Sequence, residues 1–199
     1  MTLISKTIYP RFNSKISKEE LQKNYLPSKE EIDLALTKAR GKEHIALFLI
    51  HLKVFQNLHY FVDDSEIPYK ITKYIKIKLK VDKDIHILPS KRTVEKYKRD
   101  IRQALNVITD SNIIKKLVID SVEMYEPIKD NKADVFNAVL ESLIKQNCEL
   151  PAFSTIDRWT SSKRSQLNNN LFQYISNKLT MDEKKLLDSL LLVRSGESL

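Results

Sequence analysis

Glycine is nearly absent from this chain: Gly41 and Gly196 are the only two in 199 residues. Sheets that are joined by tight hairpin turns depend on glycine, which reaches the positive φ angles of those turns. The sequence therefore argues strongly against an all-β sandwich. It also excludes a glycine-rich phosphate loop, because the two glycines lie far apart. With 42% hydrophobic and 30% charged residues, the chain should fold, and we expect an all-α protein.

The basic charge is concentrated in one stretch of the chain. The formal net charge is +8, and residues 67–106 hold 12 Lys or Arg against 4 Asp or Glu. The whole imbalance therefore lies in this stretch, and the rest of the chain is neutral. A local basic block is typical of a protein that binds a polyanion.

The residues that usually carry catalysis or bind metals form no recognisable pattern. Cys148 is the only cysteine, which excludes an intrachain disulfide and a zinc site of the two-Cys, two-His type. No Ser/His/Asp or Cys/His arrangement stands out, and no set of acidic residues suits two metal ions. We predict no catalytic residue, no metal and no cofactor. The histidines, which we expect to be packed or hydrogen-bonded, are His44, His51, His59 and His86.

Two features bear on the location of the protein. The N-terminus lacks the apolar core of a signal peptide, and the longest apolar run, residues 45–50, is too short to cross a membrane. We expect a bacterial cytoplasmic, nucleoid-associated protein without a membrane partner.

Capping signals and apolar periodicity predict roughly nine helices. Ser-x-x-Glu patterns begin at Ser17 and Ser28. The predicted helix over residues 43–58 is apolar around most of its circumference, so it should be buried. A boundary near residues 107–112 predicts two small helical domains, 1–108 and 109–199. Further helices are predicted over residues 17–25, 28–40, 90–106, 113–125, 133–146 and 154–179, with a last one that begins at Thr180.

Residues 67–81 fit two patterns. Ile75, Ile77 and Leu79 alternate with lysines, which is typical of a strand. Pro68 at a first-turn position and an alternative apolar spacing favour a helix. The residues alone leave both possibilities open.

The basic helix predicted at residues 90–106 is the strongest candidate site. Val94, Tyr97 and Ile101 should face inward, which leaves the basic side chains on other surfaces. The N-terminus of such a helix can present side chains to base edges and free amides to a phosphate. The alternative is an ordinary helix with a solvated basic face. The candidate DNA contacts are Ser90, Lys91, Arg92, Thr93, Lys96, Arg99 and Arg102.

A second candidate site follows Pro151. A predicted helix precedes it through a short turn, so helix–turn–helix geometry is plausible. Ile156 and Trp159 should pack inward, and the alternative is a capped helix with a structural role. The candidate DNA contacts here are Ser154, Thr155, Arg158, Lys163 and Arg164.

Short motifs occur along the chain in a characteristic order. They are YPRF at 9–12, LPSKEEI at 26–32, ARG at 39–41, SKRT at 90–93, KRDIR at 98–102 and ELPAFSTIDR at 149–158. In order and spacing, over about residues 9–192, the chain resembles the N-terminal DNA-binding region of the Tn-three family of class II replicative transposases. The sequence FQNL at 55–58 stands where that family often has a glycine.

The resemblance implies helical domains that recognise double-stranded DNA at a transposon's terminal inverted repeats. It also favours a helix for residues 67–81. The family's acidic catalytic triad lies in a longer C-terminal region that this sequence does not include, so we expect binding without cleavage. A full-length transposase could act as a homodimer. The alternatives are a free-standing regulator that occupies transposon ends and a protein-binding module with a basic face.

Overall fold

A computed structural model describes residues 2–82, 89–129 and 131–194 of the chain. These residues form nine α-helices and three short 3-10 helices, and they contain no strand, so the predicted all-α class is confirmed. The α-helices are α1 (Lys18–Tyr25), α2 (Lys29–Lys38), α3 (Lys42–Leu58), α4 (Tyr69–Lys78), α5 (Lys91–Ala104), α6 (Ser111–Tyr125), α7 (Lys132–Lys145), α8 (Phe153–Lys178) and α9 (Met181–Arg194).

Side-chain caps start several of these helices where the sequence predicted. The Ser17 hydroxyl accepts a hydrogen bond from the backbone of Glu20 at the start of α1. Ser28 and Glu31 form a complete capping box at the start of α2. The start of α8 differs from the prediction, which placed it at Ser154. The N-cap residue is Ala152, which has no side-chain cap, and Ser154 lies inside the first turn.

The stretch that fitted both a strand and a helix is helical. Ile71 and Ile75 lie one turn apart in α4, and both are fully buried. Ile77, which the strand pattern placed with Ile75, is 54% exposed. Burial of one side therefore favours a helix over a strand in this stretch. Pro68 directly precedes the first residue of the helix.

Helix α3 is the centre of the first core. Ten of its residues are buried, including Phe48, Leu52 and Phe55, which agrees with its apolar circumference. Helices α1, α2, α4 and α5 all contact it.

The second core lies among α6, α7 and α8. Val118, Leu143 and Ile156 are fully buried there. Tyr9, far away in sequence, is buried in the same cluster, and its hydroxyl donates to the Pro151 carbonyl at 3.0 Å. The start of the chain thus packs on the second core, while the domain boundary near residue 108 stays a prediction.

The two cores are joined by polar and backbone contacts. The Arg102 guanidinium donates two hydrogen bonds to the Glu149 carboxylate, at 2.6 and 2.9 Å, and lies 4.8 Å from the centre of the Phe61 ring. Ile108 and Cys148 form an isolated parallel bridge. His59 directly follows α3 with a φ of 59°, a conformation that glycine adopts most readily. Its carbonyl accepts the Leu150 amide at 2.8 Å, across the junction.

Candidate nucleic-acid interface

Helix α5 is held in a fixed orientation by its inner side. Tyr97 and Ile101 are 4% and 0% exposed. The Tyr97 hydroxyl lies 3.2 Å from His44 Nδ1, and its ring packs edge-on against Phe48. The inward stripe predicted from periodicity is confirmed at these two positions, and the exposed positions of α5 include Arg92, Lys96 and Arg99.

The first turn of α5 is basic. Lys91 and Arg92 occupy it and no acidic residue does, while the Ser90 hydroxyl accepts a hydrogen bond from the Thr93 amide at 3.2 Å. A helix N-terminus has a partial positive charge, so cations there are unfavourable without a nearby anion. A phosphate group at this turn would therefore stabilise it.

A concave surface of about 700 Å³ lies beside this helix, and we call it the α2–α5 groove. None of its lining residues is acidic. The Lys96 ammonium donates to the Lys38 carbonyl at 3.3 Å, which ties α5 to the end of α2. The lining residues are Leu36, Thr37, Lys38, Arg40, His44, Thr93, Lys96 and Tyr97.

The groove continues along the outer face of α5. A second concavity of about 410 Å³ shares Thr93 and Lys96 with it and adds Arg92, Glu95 and Arg99. Basic side chains from the turn between α2 and α3 and from α5 therefore face one continuous surface. Such a surface suits the phosphates of a nucleic acid.

A further groove of about 440 Å³ lies between α6 and α8, and we call it the α6–α8 groove. Arg158 is exposed there, while Ile156 is buried as predicted and Trp159 is partly buried. None of the lining residues is acidic. They are Lys115, Ile119, Arg158, Trp159, Ser162, Lys163 and Gln166.

Three of the predicted DNA contacts already have acidic partners. Arg102 binds Glu149, and this hydrogen bond raises the pKa of Arg102 above its usual value. Lys163 pairs with Glu123, and Arg164 pairs with Glu126. Each would have to give up an ion pair before it could contact DNA directly.

The structure also brings to the grooves two basic residues that were not among the predicted DNA contacts. Arg40 lies in the turn before α3 and lines the α2–α5 groove, and Lys115 on α6 lines the α6–α8 groove. Gly41 marks the turn at Arg40, where it adopts a φ of 86°. The sequence holds no sign that this turn lies beside α5.

Two of the histidines are packed or hydrogen-bonded, as predicted. His44 contacts Tyr97, and His51 is 1% exposed, with its Nε2 atom 3.2 Å from a carboxylate oxygen of Asp64. Burial lowers the pKa of His51, more than the nearby Asp64 carboxylate raises it. His86 lies outside the described residues.

Among the described residues, no group of three or more His, Cys, Asp or Glu side chains is placed so that it could hold a metal ion. In the same part of the chain, no helix has the length and the apolar character to cross a membrane.

Comparison with known proteins places the chain in a family. Residues 1–163 match the family model described as "Domain of unknown function (DUF4158)". The match includes α1–α7 and the first turns of α8, and therefore both grooves up to Lys163. No curated protein matches the chain. Because the family model covers well over half of its length, the chain belongs to the DUF4158 family.

Proposed function

We propose that this chain binds duplex DNA and recognises the terminal inverted repeats of a transposon. It would do so as the N-terminal part, or a truncated form, of a Tn-three family transposase. The α2–α5 groove carries this proposal, because it gathers basic groups from two separate segments and none of its lining residues is acidic. The order of the sequence motifs, from YPRF at 9–12 to ELPAFSTIDR at 149–158, supports the transposase family.

The chemistry of the exposed side chains suggests a division of roles. Arginine can donate two parallel hydrogen bonds to guanine, whereas lysine serves mainly as a point charge for phosphate. We assign base contacts to Arg92 and Arg99 on the outer face of α5. Arg40 and Lys96, which line the groove beside it, are assigned to phosphates.

The second groove would extend the bound site. Arg158 and Lys115 are exposed and lie on different helices of the second core. Two linked sites bind one DNA molecule more tightly than either does alone, if the geometry allows both to engage. No cleavage is assigned to these residues.

The test is fluorescence anisotropy of a labelled duplex titrated with the chain and with single variants. Arg40→Ala and Arg158→Ala should each weaken binding, and each should reduce the slope of log affinity against log salt by about 1 if it removes a phosphate contact. Lys145→Ala is the matched control, because Lys145 is an exposed basic residue on α7 that lines neither groove. If Arg40→Ala and Arg158→Ala both bind as the control and the unaltered chain do, the two grooves are not the DNA site.

A further inference from the structure

A third groove, of about 460 Å³, lies between α1 and α4, and we call it the α1–α4 groove. Three apolar or aromatic side chains line it, Leu21 from α1 and Tyr74 and Ile77 from α4. Ile77 is 54% exposed, because it lies away from the side of α4 on which Ile71 and Ile75 pack into the first core. This groove shares no lining residue with the α2–α5 groove.

The rim of the α1–α4 groove is basic. Lys70, Lys73 and Lys78 line it, together with Lys18 from α1, and none of its lining residues is acidic. Helix α4 itself carries no acidic residue. Much of the basic excess of residues 67–106 therefore lies on a helix that the proposed DNA site does not use.

Contacts with aromatic rings limit the freedom of two of these lysines. The Lys73 ammonium lies 5.8 Å from the centre of the Tyr69 ring, and that of Lys78 lies 5.5 Å from the Tyr74 ring. Cation–π contacts of this kind hold a charge over an apolar surface without neutralising it. The charges thus remain available to an anionic partner beside the exposed Ile77.

We infer that the α1–α4 groove binds an acidic amphipathic helix of a partner protein. An amphipathic helix places apolar anchors at every third or fourth position, and such anchors fit a groove with an apolar floor. Glutamate or aspartate beside those anchors would meet the lysines of the rim, which gives charge complementarity. The partner's anchors would remove Ile77 and Leu21 from water.

The apolar floor favours a protein over DNA as the occupant. A phosphate backbone would satisfy the lysines but would leave the Ile77 side chain and the edge of Tyr74 in water. The lining residues include no arginine and only one side-chain amide, Gln22, that could read a base edge. The α2–α5 groove has the opposite character, since its lining is mainly basic and polar.

The test uses two designed fluorescein-labelled peptides of about 18 residues each, both built from Glu, Ala and Leu. In the first, the leucines form one helical stripe, and in the second the same residues are reordered so that no stripe remains. Anisotropy is measured with the full chain at about 0.15 M salt, where long-range charge attraction is screened. The stripe peptide should bind at least about tenfold more tightly than the reordered one.

Ile77→Glu should lower the affinity for the stripe peptide by about tenfold, because a like charge would then stand among the apolar anchors. Ile113→Glu is the matched control, since Ile113 is a similarly exposed isoleucine on α6, and it should leave the affinity unchanged. Circular dichroism establishes that both variants keep the helical fold. Equal binding of the two peptides, or an Ile77→Glu variant that binds normally, would overturn the inference.

Two other occupants would also overturn it. If Ile77→Glu and Lys70→Ala lower affinity for duplex DNA as strongly as Arg92→Ala does, the groove is part of a nucleic-acid surface. If the chain self-associates in sedimentation velocity and Ile77→Glu abolishes this, the occupant is a second copy. Neither result affects the DNA site proposed on α5, because the two grooves have no lining residue in common.

Discussion

Arg92 is the residue for which DNA recognition makes the sharpest single prediction. It is exposed in the first turn of α5, beside the amides of the helix N-terminus. Arg92→Ala should weaken binding to the preferred duplex by about 1–3 kcal/mol and relax the sequence preference at one base position. Anisotropy titrations against a set of singly substituted duplexes measure both effects. If affinity and preference stay unchanged, Arg92 does not read a base.

Asp157 links the start of the chain to α8. Its carboxylate accepts a hydrogen bond from the Thr2 amide at 3.3 Å and pairs with Lys132 at 3.2 Å. Burial raises its pKa, but the bonds from Thr2 and Lys132 together outweigh this effect, so the pKa lies below its usual value of 3.8. The charged carboxylate is therefore stabilised in the folded chain.

Asp157→Asn should lower the free energy of unfolding by about 1–3 kcal/mol at neutral pH, because Lys132 loses its anionic partner. The sign of the pH dependence follows from the lowered pKa. In the unaltered chain the contribution of Asp157 is fully present above the pKa of the unfolded chain, and it is lost as the pH falls through the lower folded value. Urea denaturation across this acid range measures it, and an Asn variant with the same stability and pH profile would contradict this assignment.

At the scale of residues, the sequence predicted which side chains of α5 are exposed, but it did not predict which distant residues lie next to one another. Helical periodicity alone places Arg92 and Arg99 outward, because Tyr97 and Ile101 must face the core. Arg40 and Lys115 were missed because they reach the grooves through contacts between distant segments. The same limit applies to Arg102, whose partner Glu149 is far away in sequence.

The ion pair between Arg102 and Glu149 connects α5 to the segment before α8. The Arg102 and Glu149 side chains are 29% and 22% exposed, so solvent screens the pair in part. Arg102→Ala should lower the free energy of unfolding by about 1 kcal/mol, through loss of two charge-assisted hydrogen bonds. Because the guanidinium is already engaged, DNA affinity should change little.

Arg99→Ala is the matched variant for this prediction, since Arg99 is exposed on the same helix. It should weaken DNA binding and leave stability nearly unchanged. Urea denaturation and anisotropy, carried out on both variants, separate the two roles. A result in which Arg102→Ala weakens DNA binding as much as Arg99→Ala, with normal stability, would contradict the structural role.

At the scale of elements, capping chemistry and one-sided burial account for most of the agreement between the predicted and the observed helices. Ser17 and Ser28 marked helix starts because their hydroxyls satisfy free amides, a local effect that sequence can reveal. Helix α4 could not be settled from its residues, because alternating isoleucines and lysines fit both periods. Packing of Ile71 and Ile75 in the first core decided it. Helix–turn–helix geometry between α7 and α8 stays a prediction.

At the scale of the whole molecule, two cores share one chain that crosses between them more than once. Tyr9 lies in the second core, whereas Phe12 packs against the first. Both aromatic residues belong to the same YPRF motif, so no local pattern could indicate this crossing. Contacts of this kind depend on long-range packing.

The charge of the molecule is also organised on this scale. The basic excess of residues 67–106 is divided between α5, which borders the proposed DNA site, and α4, which borders the α1–α4 groove. The second core belongs to a nearly neutral half of the chain. It can contribute to DNA binding only through a few residues that the fold brings together, such as Arg158 and Lys115.

Sequence-specific DNA binding is the central claim, and one titration tests it most directly. The intact chain is titrated by anisotropy against a duplex of the transposon's terminal inverted repeat and against a scrambled duplex of the same composition. The repeat should bind more tightly, and its affinity should fall by about 10³-fold between about 50 and 200 mM salt if about six phosphates are contacted. Equal affinity for the two duplexes would contradict specific recognition, and no measurable binding to either would contradict DNA binding altogether.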